Sequence, residues 1–93
     1  MHALVVRVKI DAARRDEASQ MLETQVVPMS RERPGFTGGY WLRSQDGSRG
    51  LSIELYESEA AARAVADSAT EGPPPGAPVT LEGFDVFEVI ATA

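Results

Sequence analysis

Apolar and polar positions alternate along four segments of the chain and recur with helical spacing along two others. Residues 2–10 read HALVVRVKI, with one fully apolar parity and one mixed parity, which is typical of a β-strand. The two helical segments follow Asp11 and Ser58, and both of these residues are good N-caps. The pattern therefore predicts the order β-α-β-β-α-β, without an internal repeat.

The remaining strands are predicted over residues 36–43, 51–57 and 79–91. The first helix begins at Ala12, and Pro28 should kink it or start a new turn. Its apolar stripe is Ala18, Met21, Leu22, Val26 and Met29. The second helix runs from Glu59 to about Thr70 and ends before Gly72 and the proline-rich residues 73–78. Its stripe is Ala62, Val65, Ala66 and Ala69.

The central strands are expected to form a hairpin, because Asp46-Gly47 is a strong two-residue turn signal. Such a turn makes one apolar set of cross-strand pairs: Leu42 with Leu51, Tyr40 with Ile53, and Gly38 with Leu55. It makes a second, mixed set: Trp41 with Ser52, Gly39 with Glu54, and Thr37 with Tyr56. The turn and the face pattern agree on this register.

Two split βαβ units with right-handed crossovers give a ferredoxin-like α+β fold, in which a four-stranded antiparallel sheet carries both helices on one face. We expect residues 1–93 to form a single domain. The apolar parity of each strand should pack on the helices. The opposite face would then be of mixed polarity, with Arg7, Lys9, Thr37, Trp41, Arg43, Ser52, Glu54, Tyr56, Phe87 and Val89.

Composition excludes several kinds of chemistry. The chain has no cysteine, so it has no disulfide, thiolate metal site or thiol nucleophile. Its net charge is −5 and its basic residues are scattered, which argues against nucleic-acid binding. No apolar run approaches the length of a membrane span, and no signal-peptide pattern opens the chain. We therefore expect a cytoplasmic protein that binds neither nucleic acid nor membrane.

RNA-recognition domains share this topology, and residues 49–56 have a faint outline of their RNP1 octamer. Leu51 and Ile53 replace the stacking aromatics, however. The RNP1 register would also turn Glu54 towards the core, where an unpaired carboxylate is costly. With the acidic net charge, these departures exclude RNA recognition. The mixed face is better suited to self-association into a barrel-like dimer with a partly filled, polar-lined cavity.

Residues 34–42 read PGFTGGYWL, and after Asp46-Gly47 residues 51–62 read LSIELYESEAAA. Together with the first and last strands, these stretches resemble the dimeric α/β-barrel superfamily, and in particular its antibiotic-biosynthesis-monooxygenase-like members. The shared motifs are structural: a PGF entry to a strand, a DG hairpin, and a capped alanine-rich helix. The resemblance implies a homodimer that pairs through the sheet face, with ligand clefts between sheet and helices.

Characterised relatives include cofactor-independent monooxygenases that act on polyketide-like aromatics, and haem-degrading enzymes. The haem-degrading type relies on an asparagine, a tryptophan and a histidine, but this chain contains no asparagine and its sole histidine is His2. Trp41 cannot be matched to the catalytic tryptophan. No catalytic residue is therefore assigned, and we expect no tightly bound haem, flavin or metal.

Five residues of the mixed face are candidates for contact with a small aromatic ligand: Trp41, Arg7, Glu54, Tyr56 and Arg43. Each also has a structural interpretation. Trp41 and Tyr56 could fill a dimer interface, and Glu54 could pair with Arg7 or Arg43 across strands. His2 is expected to be a frayed terminal residue. Two functions stay open: a cofactor-independent oxygenase or related enzyme, and a non-catalytic ligand-binding or structural dimer.

Overall fold

A computed structural model of the chain describes residues 1–69 and 72–93. It contains an antiparallel four-stranded sheet in the order β2-β3-β1-β4. The strands are β1 His2–Ile10, β2 Phe36–Arg43, β3 Arg49–Tyr56 and β4 Val79–Glu88. The predicted element order and ferredoxin-like fold are confirmed, although β3 begins two residues earlier than predicted and β4 ends at Glu88. No helix within the described ranges is long and apolar enough to cross a membrane.

The first helical segment, residues 12–31, changes its winding three times. A 3₁₀ turn (Ala12–Arg14) leads into α1 (Arg15–Met21), a π turn (Leu22–Val26) and α2 (Val27–Arg31). Asp11 caps the segment as predicted, because its carboxylate accepts a hydrogen bond from the backbone N–H of Ala13 at 3.1 Å. The π turn ends at Val26, two residues before Pro28, whose missing N–H prevents a regular α-helical ladder.

The π turn changes which residues of the segment face inwards. It adds a residue to one turn, so the following positions rotate relative to a continuous α-helix. Met29, predicted in the apolar stripe, is 53% exposed, whereas Ser30 is fully buried. The prediction was therefore correct for Ala18, which is buried, and wrong after the π turn.

The last helix, α3 (Glu59–Ser68), covers β1 and β4. Ser58 caps it as predicted, with its hydroxyl oxygen accepting from the N–H of Ala61 at 3.1 Å. The predicted end near Thr70 lies outside the described residues. The core is a small cluster of buried side chains: Leu4, Tyr56, Ala62, Val65 and Ala66.

The β2–β3 hairpin has the predicted register from Gly38 to Arg43. A register shift between Phe36 and Gly38 then places Phe36, and not Thr37, opposite Tyr56, and the two rings pack edge to face at 5.7 Å. The connection is longer than the predicted two-residue turn and spans residues 44–48. Asp46 organises it by accepting hydrogen bonds from Ser44 and Ser48, which lower its pKa to about 2.

The hairpin is turned over relative to our prediction. Leu4 packs in the core beneath α3, and its cross-strand partner in β3 is Glu54. Paired residues in an antiparallel sheet project to the same side, so Glu54 faces the helices. Trp41, Ser52 and Tyr56 belong to the same parity and face the helices as well. We call this side the inner face.

The outer face, which lies away from the helices, is the more apolar side of β2 and β3. Tyr40, Leu42 and Phe87 are 64%, 48% and 53% exposed, and Ile53 lies between them opposite Tyr40. The prediction that Tyr40, Leu42 and Ile53 would pack on the helices was therefore wrong, whereas Phe87 lies on the face away from the helices as predicted. The register within the hairpin does not fix the pairing of the hairpin with β1, and that pairing decides which parity faces inwards.

Candidate functional site

A buried carboxylate organises the inner face. Glu54, in the middle of β3, is only 5% exposed. Its Oε1 atom accepts a hydrogen bond from Nη1 of Arg33 at 2.8 Å and one from the hydroxyl of Tyr56 at 3.0 Å. Its Oε2 atom accepts from the hydroxyl of Ser52 at 3.3 Å. We call these four side chains, Arg33, Ser52, Glu54 and Tyr56, the inner polar cluster.

The cluster meets the conditions under which a charge can be buried. An isolated carboxylate in a protein interior is costly unless a counter-ion and hydrogen bonds compensate for lost hydration. Arg33 supplies the opposite charge, and its side chain is 25% exposed, so the cluster reaches solvent at the end of α2. Burial raises the pKa of Tyr56 to about 12, which keeps the hydroxyl neutral.

Trp41 stands beside the cluster. It lies opposite Ser52 as predicted, and it is half-buried on the inner face. Gly39 leaves room for the ring, because a Cβ atom at Gly39 would lie 3.2 Å from Cη2 of Trp41 and 3.1 Å from the carbonyl oxygen of Ile53.

The side chains between the first helical segment and the sheet are only partly buried. Val6, on the inner face of a central strand, packs against the edge of the core cluster. Leu22 and Val26 are also partly buried, while Glu23, Thr24 and Gln25 between them are exposed. We call the region between Val6, Leu22, Val26 and Trp41 the cleft and treat it as the candidate site. An aromatic side chain, aliphatic side chains and a few polar groups are the usual make-up of a small-molecule site.

The two other candidate residues lie elsewhere. Arg7 is on the outer face and pairs with Asp85 at 2.7 Å. Its guanidinium passes over Gly83, where any side chain would clash with it. Arg43 is on the inner parity, but its guanidinium donates to the hydroxyl of Ser19 at 2.7 Å and so ties β2 to α1. The predicted pairing of Glu54 with Arg7 or Arg43 is therefore wrong, because Glu54 pairs with Arg33.

Glu54 turns towards the core, as the RNP1 register would require, and Arg33 compensates for its charge, so burial of this carboxylate does not count against RNA binding. The other arguments, from Leu51, Ile53 and the net charge, are independent of the side to which Glu54 points.

His2 is not the frayed residue that we expected. It is the first residue of β1, opposite Tyr56, and its Nε2 atom lies 3.7 Å from Glu59 at the start of α3. Glu59 also accepts from Arg63 at 2.7 Å, which lowers the pKa of its carboxyl group. Among the described residues, no three His, Cys, Asp or Glu side chains are grouped as a metal site would require.

Sequence reasoning missed Arg33 and Ser30. Arg33 directly precedes the Pro34-Gly35 turn, where an arginine is common on the surface. The one signal in its favour was that a buried Glu54 would need a positively charged partner. Ser30 was hidden by the π turn, since a regular helical period places Met29 on the inner side.

Solved structures with the same architecture come from several bacteria. MhuD, a haem-degrading protein of Mycobacterium tuberculosis solved with two haems in its active site, superposes with a TM-score of 0.77 at 21% identity, over 100% of this chain and 99% of that one. SnoaB, a cofactor-independent oxygenase of Streptomyces nogalater, gives a TM-score of 0.66 at 18% identity, covering 98% and 94%.

A third similar structure is the ActVA-Orf6 monooxygenase of Streptomyces coelicolor in complex with nanaomycin D. Its TM-score is 0.64 at 19% identity, over 99% of this chain and 89% of that one. No functionally curated protein matches the sequence. The family model described as antibiotic biosynthesis monooxygenase matches residues 1–70, which include the cleft and the whole inner polar cluster. The chain therefore belongs to the antibiotic biosynthesis monooxygenase family.

Proposed function

We propose that the protein binds a small aromatic molecule in the cleft and oxygenates it without a cofactor. The observation that carries this proposal is the inner polar cluster, a buried Arg33–Glu54–Tyr56 network placed beside Trp41 at an incompletely covered part of the sheet. A core built only for stability would place apolar side chains there. The similarity to SnoaB and to the ActVA-Orf6 monooxygenase supports the reaction class.

The reaction that fits this site uses the reactivity of the substrate itself. A methylene group between two aromatic rings, as in an anthrone, can lose a proton to give a stabilised anion that reacts with O₂. Two C–H bonds break, one oxygen atom becomes the new carbonyl group, and the other leaves as water. The substrate supplies all four electrons, so the balance requires neither metal nor flavin.

The residues of the cleft have distinct proposed roles. Trp41 would stack on the aromatic rings. Arg33 would stabilise the oxygen on which negative charge develops, since an arginine at the edge of a buried site interacts strongly with an anion. Three hydrogen-bond donors already share the carboxylate of Glu54. Its proposed role is to hold Arg33 and Tyr56 in place.

The test is oxidation of 1,8-dihydroxy-9-anthrone under ¹⁸O₂. We expect formation of the anthraquinone faster than in buffer, with one labelled oxygen in the new carbonyl group. Trp41→Ala should slow the reaction, whereas Arg63→Ala, on the exposed side of α3, should not. If neither acceleration nor quenching of Trp41 fluorescence occurs with a panel of anthrones and naphthols, the alternative applies: a non-catalytic or structural dimer.

That alternative has one observation in its favour. The inner polar cluster is satisfied without a ligand, since Glu54 has donors on both of its oxygens. It could therefore hold β3 to the end of α2 and do nothing else. Acceleration of anthrone oxidation by the wild-type protein separates the enzyme from a non-catalytic ligand-binding or structural dimer.

Self-association through the outer face is part of the proposal. Tyr40, Leu42 and Phe87 are large apolar side chains that stay largely exposed on the outer face, and exposed apolar surface of this kind often marks a protein interface. A second copy packed face to face would cover it and make a barrel-like dimer. The surface differs from the Trp41–Tyr56 face that the sequence suggested. Light scattering that shows a monomer at micromolar concentration would contradict it.

The proposal includes no haem, flavin or metal. The cleft residues Val6, Leu22, Val26 and Trp41 offer no nitrogen or sulfur ligand for iron, and His2 is directed at Glu59. We therefore expect the purified protein to carry no stoichiometric visible chromophore, and an absorption band in the haem region after purification would refute this part.

A further inference from the structure

The end of the outer face next to the β2–β3 connection contains an open depression of about 390 Å³. All four strands contribute to it, since its lining includes Arg7, Leu42, Arg43, Arg49, Leu51 and Glu82. Its volume is within the range of small-molecule sites. We call it the outer depression. It is separate from the cleft, because none of the four residues that define the cleft lines it.

A β-bulge lies on the β4 side of the outer depression. Arg7 pairs with Gly83, whereas the next residue of β1 pairs with Leu81, so Glu82 is an additional residue of β4. A bulge bends its strand and redirects a side chain, and bulges are frequent beside functional sites. Gly83 also leaves space for the guanidinium of Arg7, since a Cβ atom at Gly83 would lie 2.7 Å from Nη2 of Arg7. The irregular pairing therefore makes room for charged groups on a mainly apolar face.

The charge of the lining is opposite in sign to that of the whole protein. Three arginines and one glutamate line the outer depression and give it a net charge of +2, although the chain as a whole carries −5. A concave surface of one sign concentrates ligands of the other sign. The outer depression is therefore suited to a negatively charged molecule.

Two of the three arginines have no carboxylate as a hydrogen-bond partner. Arg7 forms an ion pair with Asp85, whereas Arg43 donates to neutral oxygen atoms of the first helical segment. Among the described residues, the guanidinium of Arg49 forms neither an ion pair nor a hydrogen bond. The nearby carboxylate of Asp46 attracts Arg49 electrostatically, but it accepts its hydrogen bonds from serines. The five N–H donors of Arg49 are therefore available to a ligand.

From this arrangement we infer that the outer depression is a second small-molecule site, which binds a carboxylate joined to an apolar body. Arginine suits a carboxylate, because its planar guanidinium can donate two parallel hydrogen bonds. Arg49 donates to the carboxylate, and the leucines of the lining, Leu42 and Leu51, contact the apolar body. A single negative charge is favoured over two, because Glu82 repels it less. The inference does not depend on the function proposed for the cleft.

Two probes separate the charge contact from the ring contacts. 2-Naphthoate carries a carboxylate, and 2-naphthalenemethanol has the same rings without the charge. Binding is followed by ¹⁵N–¹H NMR titration, which shows where the probe binds. The backbone amides of Gly50 and Leu51 report on the outer depression, and the indole N–H of Trp41 reports on the cleft. Arg49→Ala is compared with the wild type and with Arg63→Ala, which removes the same charge from the exposed side of α3.

We expect 2-naphthoate to shift the Gly50 and Leu51 amides of the wild type and of Arg63→Ala alike. Arg49→Ala should weaken this binding about fivefold, as the loss of one charge contact at a partly exposed site would. Glu82→Gln should strengthen it by about twofold, because it removes a repulsive charge. 2-Naphthalenemethanol should bind more weakly and equally to all variants. Both replaced side chains, Arg49 and Glu82, are exposed, so these variants should fold.

Four results would overturn the inference. Absence of 2-naphthoate binding, or equal binding of the two probes, would show that the arginines do not select a carboxylate. Equal weakening by Arg49→Ala and Arg63→Ala would mean that only the net charge matters. Shifts confined to the indole N–H of Trp41 would place the probe in the cleft. Binding to monomeric Tyr40→Ala but not to the wild-type protein would show that a second copy of the chain fills the outer depression.

Discussion

The polarity of the two faces of the β2–β3 hairpin is the reverse of that in most sheets that carry helices on one side. The inner face, which the helices cover, holds Trp41, Ser52 and Glu54, whereas the outer face presents Tyr40 and Ile53. Usually the covered face is the apolar one. On the function proposed above, the helices cover the ligand site and a second copy of the chain covers the outer face.

The largest expected effect comes from removing the counter-ion of the inner face. Arg33→Ala leaves Glu54 buried without a charge partner, and we expect the free energy of unfolding to fall by about 3 kcal/mol, the lower end for buried pairs because Arg33 is partly exposed. Urea denaturation measures this. Arg63→Ala, which breaks the exposed pair with Glu59, is the matched control and should change little. If Arg33→Ala and Arg63→Ala lowered the free energy of unfolding equally, the buried Arg33–Glu54 pair would contribute no more to stability than the exposed Arg63–Glu59 pair.

The inner face should also make stability depend on pH in the alkaline range. The pKa of Tyr56 is raised from 10 to about 12, so the folded state binds the phenolic proton more tightly than the unfolded state. The resulting stability is complete below pH 10 and is lost as pH rises to about 12, a loss of about 3 kcal/mol. Denaturation series for wild type and Tyr56→Phe should diverge over this range. Parallel curves would contradict the buried position of Tyr56.

Neighbouring aromatics on opposite faces provide the sharpest test of the dimer. Tyr40→Ala should weaken self-association by about 2 kcal/mol, the size expected for an interface aromatic, because Tyr40 lies on the outer face. Trp41→Ala should leave the dimer intact and weaken ligand binding. Sedimentation velocity and ligand titration of both variants measure this. The reverse pattern would place the interface on the inner face.

The smallest effect concerns two adjacent glycines. Gly39→Ala crowds the Trp41 ring and the carbonyl of Ile53, and should cost about 1 kcal/mol. Gly38→Ala meets no atom within 4 Å, so it should be neutral or slightly stabilising. Both are best compared in the Tyr40→Ala background, where the outer face is uncovered. A larger loss for Gly38→Ala would reverse the assignment of the faces.

Much of the fold follows from local patterns in the sequence. Asp11 and Ser58 mark helix starts, and the DG hairpin fixes the pairing of Trp41 with Ser52. The site did not follow, for two reasons. The pairing of the hairpin with β1 is a long-range contact. The apolar parity of β2 and β3 predicted the wrong face for the helices, because the outer face of the hairpin is apolar too. The π turn then placed Ser30 inwards, and no periodicity argument anticipates an added residue.

The central claim is that Trp41 lies between sheet and helices within one subunit, and the most direct test is its fluorescence in dimer and monomer. We predict that the emission maximum stays to the blue of free indole, and that iodide quenches it poorly, both in the wild type at concentrations where it self-associates and in Tyr40→Ala diluted until sedimentation shows a monomer. An aromatic ligand should quench both. If the emission of the monomer shifts to that of free indole and iodide gains access, then the partner subunit, and not the helices, covers Trp41, and the account of the two faces is wrong.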